Sequence, residues 1–166
     1  MRFTENNLII PLTSGMVTCT AEVELDSVKM GMYDHATFVL QFNSELGLTA
    51  SAHTLTLTVE TGSGDSNDLA DATFNYRWNS ATTITASADK LSTWTSASTL
   101  TITCSTDAGK MLILELDAAE IPCASKQYEW VTVNINPVSA SVGDVEGYCI
   151  LSNPRYSANI MPVGNA

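Results

Sequence analysis

His53-Thr54-Leu55-Thr56-Leu57-Thr58-Val59-Glu60 alternates apolar and hydroxyl-bearing side chains without a break. Successive side chains of an extended chain point to opposite faces. Leu55, Leu57 and Val59 therefore form one apolar face, and Thr54, Thr56 and Thr58 form the other. This is the pattern of a half-buried β-strand.

The same period recurs on both sides. Val17-Thr18-Cys19-Thr20-Ala21-Glu22-Val23-Glu24-Leu25 alternates, and its predicted inward face is Val17, Cys19, Ala21, Val23 and Leu25. Thr99-Leu100-Thr101-Ile102-Thr103-Cys104 alternates again. A stretch of turn composition, Ser105 to Lys110, then leads into Met111-Leu112-Ile113-Leu114-Glu115-Leu116-Asp117. These two runs read as an antiparallel hairpin. Further strands are expected near 36–42, 73–79, 128–135 and 145–151, with a short strand or extended arm near 7–13. A single helical turn is expected at Asp117 to Ile121, ended by Pro122. Eight or nine antiparallel strands of this size predict an all-β sandwich, jelly-roll-like, with an immunoglobulin-like sandwich as the alternative.

The 166 residues fit a single domain, 1–166, with an N-terminal arm over about 1–12 and a C-terminal tail over about 153–166. Residues 61–68 read as a flexible loop, and 82–98 as a long loop around Trp94. Hydrophobic residues make up 45% of the chain, which excludes a disordered segment. Eighteen acids against seven scattered Lys and Arg give a net charge of −11. Phosphate backbones and anionic membranes need clustered cations, so neither nucleic acid nor membrane is an expected partner. The apolar run Leu8-Ile9-Ile10 is too short for a signal-peptide core, which implies synthesis in a cytoplasm. Cys19, Cys104, Cys123 and Cys149 lack metal-ligand spacing and read as buried thiols.

No catalytic pattern emerges. A nucleophile elbow is missing, and His35 and His53 read as exposed or edge histidines. Glu22 with Glu24, and Glu115 with Asp117, lie on the polar sides of strands. Asp65, Asn67, Asp68 and Asp71 form an acidic loop without the pattern of a calcium-binding loop. The chain is therefore expected to be no enzyme and to need no cofactor or metal.

Aromatic residues are more informative. Phe74, Tyr76 and Trp78 share one face of a strand and read first as core. Tyr128 and Trp130 oppose the inward Val131, Val133 and Ile135. Met111 and Ile113 likewise oppose Leu112, Leu114 and Leu116. Strands that are apolar on both faces predict a second buried surface, either a subunit interface or an intramolecular cover.

Phe74-Asn75-Tyr76-Arg77-Trp78-Asn79, the run Lys110 to Ala118, Tyr128-Glu129-Trp130-Val131-Thr132-Val133 and Leu151-Ser152-Asn153-Pro154-Arg155-Tyr156 occur in that order. In this pattern, over roughly 8–163, the chain resembles tailed-bacteriophage head decoration (cement) proteins, which are encoded beside the major capsid protein. The resemblance implies a structural virion protein on the capsid exterior. Its partners would be the major capsid protein and further copies of itself, as a homotrimer or dimer. The interface residues expected on this reading are Phe3, Leu8, Ile9 and Ile10 of the arm, Met111, Ile113, Tyr128 and Trp130 of the body, and Arg155, Tyr156, Ile160 and Met161 of the tail. The competing reading is a carbohydrate- or receptor-binding domain of a virion or tail protein, with Tyr76, Trp78, Trp94 and Trp130 as a stacking platform.

Overall fold

The computed structural model describes residues 3–43, 53–65, 70–79, 90–122, 129–138 and 143–155. In chain order its strands are β1 (Leu8–Pro11), β2 (Val17–Thr18), β3 (Val23–Glu24), β4 (Val28–Lys29), β5 (Tyr33–Phe42), β6 (Thr54–Gly62), β7 (Ala70–Asp71), β8 (Phe74–Trp78), β9 (Thr95–Ala97), β10 (Thr99–Thr103), β11 (Met111–Asp117), β12 (Trp130–Pro137) and β13 (Asp144–Pro154). A one-turn helix, α1 (Cys104–Asp107), separates β10 from β11. The turn expected before Pro122 is present as a 3-10 turn, Ala118–Glu120. It is closed by a capping box between Asp117 and Glu120. Among the described residues no helix is long and apolar enough to cross a membrane.

All pairing is antiparallel. One sheet runs β1-β13-β5-β11-β8-β9, with β2 beside β13; the other runs β10-β6-β12-β3, with β4 on β12 and β7 on β6. If β3 and β4 are taken as one interrupted strand, the principal strands in chain order are β1, β3/β4, β5, β6, β10, β11, β12 and β13. The sheets then read 1-8-3-6 and 2-7-4-5 in that order. This is the strand order of a jelly roll, two Greek keys folded into facing sheets. It is not the A-B-E-D order of an immunoglobulin sandwich. β8 and β9 form an insertion that widens the first sheet beyond β11.

The core is the set of inward faces that the alternation marks. Phe38, Leu40 and Phe42 of β5 meet Leu55, Leu57 and Val59 of β6 across the sandwich, with Leu112, Leu114, Leu116, Val131, Val133 and Ile135, all fully or nearly fully buried. Burial of such side chains contributes about 1.5–3 kcal/mol each against full exposure. This hydrophobic drive fixes which face of each strand turns inward.

Two expectations are corrected. The runs 99–104 and 111–117 are not a hairpin: β10 pairs with β6 in one sheet, while β11 pairs with β5 and β8 in the other. The turn between them carries the chain across the core. Cys104 is buried there, the Thr103 N–H donates to Asp107 Oδ2 at 2.9 Å, and Lys110 Nζ reaches Asp107 Oδ1 at 3.0 Å. Residues 17–25 are not one strand either. β2 joins β13 and β3 joins β12, so this stretch changes sheet at a corner. Cys19 and Leu25 point into the core as expected, whereas Ala21 at the corner is exposed. Of the two forms expected near 7–13, a short strand or an extended arm, the strand is present as β1, on the edge of the first sheet.

Candidate interaction surface

The outer face of the first sheet carries the most distinctive arrangement. Pro11, Tyr148, Val39, Ile113 and Arg77 are successive cross-strand partners through β1, β13, β5, β11 and β8. Trp94, just before β9, continues the line, because the Arg77 guanidinium carbon lies 4.1 Å from its ring centroid. From Pro11 to Arg77 the residues that flank each of these on its own strand are buried or packed against the core, so the row itself points out. A second row runs Ile9, Ile150, Thr37, Glu115, Asn75 and Ser96. A third contains Glu146, Gln41 and Met111. Directly opposed side chains sit about 4.5–5.5 Å apart at Cβ, so Ile9, Ile150, Tyr148, Val39, Ile113 and Met111 form a continuous apolar band. Tyr148 is 49% exposed, Ile9 48% and Trp94 41%.

Polar groups rim this band. His35 Nδ1 lies 2.7 Å from Asp117 Oδ1, and its Nε2 lies 3.9 Å from Glu115 Oε2. Arg155 Nε donates to Asp34 Oδ1 at 2.6 Å. The Gln41 amide nitrogen donates to the carbonyls of Gly109 and Lys110 at 3.2 and 3.3 Å. An apolar centre within a polar rim, holding Trp, Tyr and Arg, is the anatomy of a protein–protein contact surface.

The outer face of the second sheet differs in chemistry. Its rows are Thr99, Thr58, Asn134 and Glu24, then Thr101, Thr56 and Asn136, then Thr132, Glu60 and Asp71. Asn134 Nδ2 donates to Glu22 Oε1 at 2.7 Å and to Glu60 Oε1 at 3.1 Å, and Thr58 Oγ1 donates to the same Glu60 oxygen at 3.0 Å. These groups line an open depression of about 420 Å³. Among the described residues no cluster of His, Cys, Asp or Glu could hold a metal ion. The sandwich thus has one outer face crossed by an apolar band and one hydroxylated, acidic outer face.

The residues singled out from sequence are distributed unevenly. Ile9, Met111 and Ile113 lie on the apolar band. Leu8 is half-buried against the core, and Phe3 is 55% exposed in the turn that precedes β1. Ile10 is 7% exposed and belongs to the core, because the pleat of β1 turns it inward between Ile9 and Pro11. Trp130 lies in the other sheet beside Lys29, whose Nζ is 5.8 Å from its ring centroid. Arg155 stands at the rim, paired with Asp34. Tyr128, Tyr156, Ile160 and Met161 lie outside the described residues, as do Asn67, Asp68 and most of the tail. Tyr148, Ile150, Val39 and Arg77 belong to this surface and escaped the sequence reading, and Trp94, read there as part of a stacking platform, joins them through Arg77. Tyr148 and Ile150 were visible in principle, since both alternate with Gly147, Cys149 and Leu151.

The stacking platform is not formed. Tyr76 and Trp78 pack against the core, with Trp78 5.9 Å from Phe42 and Tyr76 6.3 Å from Phe74 between ring centroids. Trp94 and Trp130 belong to different sheets. His35 is no edge residue: it sits on β5 between β13 and β11, bound to Asp117. Cys19, Cys104 and Cys149 are buried free thiols. Burial first, then Asp144 and Cys104, pushes the Cys19 thiol up to about 11; burial alone pushes Cys149 up.

No known protein family matches the chain, and no curated protein does. A solved structure of Desmodium yellow mottle tymovirus is similar over 92% of this chain and 84% of that one, at 13% identity and a TM-score of 0.33. A structure of infectious bursal disease virus, Gt strain, is similar over 93% of this chain and 40% of that one, at 14% identity and a TM-score of 0.19. Neither likeness carries an inference about what this chain binds.

Proposed function

We propose that this chain is a structural virion protein that docks on the outside of a phage capsid and cements its shell, and that it is not an enzyme. The observation that carries this reading is the row Pro11, Tyr148, Val39, Ile113, Arg77 and Trp94, which crosses the whole first sheet on its outward side. Leaving such a band in water is costly, and burying it against a neighbour recovers that free energy. A stable contact removes about 800 Å² per partner, and the outer face of a sheet this wide is a suitable footprint. The acidic, threonine-rich face then points to solvent, where its charge keeps particles dispersed and repels free nucleic acid.

The partner on this reading is the major capsid protein, with the chain bridging adjacent capsid subunits. Assembly as a homotrimer or dimer multiplies each contact by avidity. The test mixes purified chain with undecorated capsids assembled from the major capsid protein encoded beside it. Saturable, stoichiometric binding is expected. Ile113→Glu should abolish it while leaving the thermal melt intact, because the charge falls in the centre of the band. Binding unaffected by Ile113→Glu, or no binding by the wild type, would overturn the reading. Binding of glycans by the isolated monomer would instead favour the carbohydrate-binding alternative.

A further inference from the structure

The apolar row carries, near its end, a cation with no counter-charge among the described residues. Cations are scarce in a chain with seven Lys and Arg against eighteen acids. Lys29 pairs with Glu129 at 3.2 Å, Lys110 with Asp107 at 3.0 Å and Arg155 with Asp34 at 2.6 Å. Arg77 meets no carboxylate among the described residues, and its Nε is buried without an acceptor. A buried donor left unpaired costs free energy, more so when it is charged. The Trp94 ring packs on the guanidinium, 4.1 Å from its central carbon, and restrains it. This contact occupies one face of the group. The Nε–H is closed off from solvent, but Arg77 as a whole is only half-buried, and its two terminal Nη groups present the end-on fork that matches a carboxylate.

We propose that Arg77, restrained by Trp94, receives an Asp or Glu carboxylate that the capsid subunit presents from within an otherwise apolar surface. This rests on the docking reading above and adds the partner's chemistry. Elsewhere on this face the ionised groups are mainly acids, namely Glu115, Glu146 and Asp117, which repel a carboxylate. Arg77 is the one position in the row that attracts it, so the pair would set the register of docking. The apolar neighbours Ile113 and Trp94 exclude water from the pair and strengthen it. A second copy of this chain is disfavoured as occupant, because each copy brings a net charge of −11.

The experiment compares Arg77→Met, Arg77→Lys and Ile113→Glu for binding to undecorated capsids, with thermal melts to confirm folding. Arg77→Met keeps the apolar stem and removes the fork; it should weaken capsid affinity about tenfold or more, mainly through faster dissociation. Arg77→Lys keeps the charge without the fork and should fall between. Capsids decorated with Arg77→Lys are then treated with a carbodiimide, which joins an amine to a nearby carboxylate. A cross-link from position 77 to an Asp or Glu of the major capsid protein is expected. Wild-type binding by Arg77→Met, with Ile113→Glu inactive, would overturn the carboxylate assignment and leave the docking reading standing. A cross-link from position 77 to another copy of this chain would overturn the capsid as partner. Should Ile113→Glu bind normally, the docking reading itself fails.

Discussion

Replacing Gly147 by alanine drives a methyl group into the core. A Cβ built at this position lies 2.5 Å from Leu40 Cδ2, and 3.4 Å from both Leu12 Cδ1 and the Val39 carbonyl oxygen. Carbon atoms pack best at about 3.5–4.0 Å, so the overlap with Leu40 is roughly 1–1.5 Å. The backbone cannot retreat. β13 is laddered to β1 on one side and β5 on the other, and the Gly147 carbonyl accepts the Leu12 N–H at 2.9 Å. Leu40 has no solvent to swing into, being fully buried. Overpacking of this kind costs about 1–3 kcal/mol, partly offset by about 0.4–1 kcal/mol from a less flexible unfolded chain. We expect Gly147→Ala to lose about 1–2 kcal/mol in urea denaturation, or some 2–8 °C in melting temperature. The decisive arm is a double-mutant cycle. Leu40→Ala should itself cost about 2–5 kcal/mol, but it opens the space that the new methyl needs. In that background Gly147→Ala should be neutral or stabilising. An equal cost in both backgrounds, or no cost in either, would refute the reasoning.

Other outcomes follow from single contacts. Asn134→Asp turns the donor shared by Glu22 and Glu60 into a third carboxylate; at neutral pH it should destabilise the chain by about 2 kcal/mol or more in chemical denaturation. Tyr33→Phe removes a buried hydroxyl that has no partner among the described residues, so stability should hold or rise slightly, and a loss above about 1 kcal/mol would contradict that environment. The thiols of Cys19 and Cys149 have raised pKa values when folded, so they stay protonated where the unfolded chain's thiols ionise. Their contribution is therefore intact below about pH 8.5. It declines as pH rises from there towards about 11 for Cys19 and beyond for Cys149. Cys149→Ala should flatten this alkaline loss in pH-dependent denaturation, and an unchanged profile would count against it. In a Cys123→Ala background the native protein should show no thiol reactive towards a disulfide reagent at pH 8, whereas the denatured protein should show three.

The alternation at 53–60, 111–117 and 131–135 was sufficient to assign strands and their inward faces, because side-chain direction in an extended chain is a local property. Leu55, Leu57 and Val59, and likewise Leu112, Leu114 and Leu116, are core as the pattern requires. Met111 and Ile113 were marked as outward apolar residues by the same rule. Composition set the net charge of −11.

Only the folded chain decided which strands are neighbours. Alternating runs joined by a turn look the same whether the turn closes a hairpin or crosses the core, so residues 99–117 misled. The apolar row draws Pro11, Val39, Arg77, Trp94, Ile113 and Tyr148 from distant parts of the sequence. Cross-strand register, a non-local property, puts them side by side. Arg77 illustrates the difference: within Phe74 to Asn79 it is an ordinary polar residue between aromatics. In the sheet it lies beside Ile113 and Trp94 at the charged end of an apolar band, a placement that no stretch of sequence could reveal.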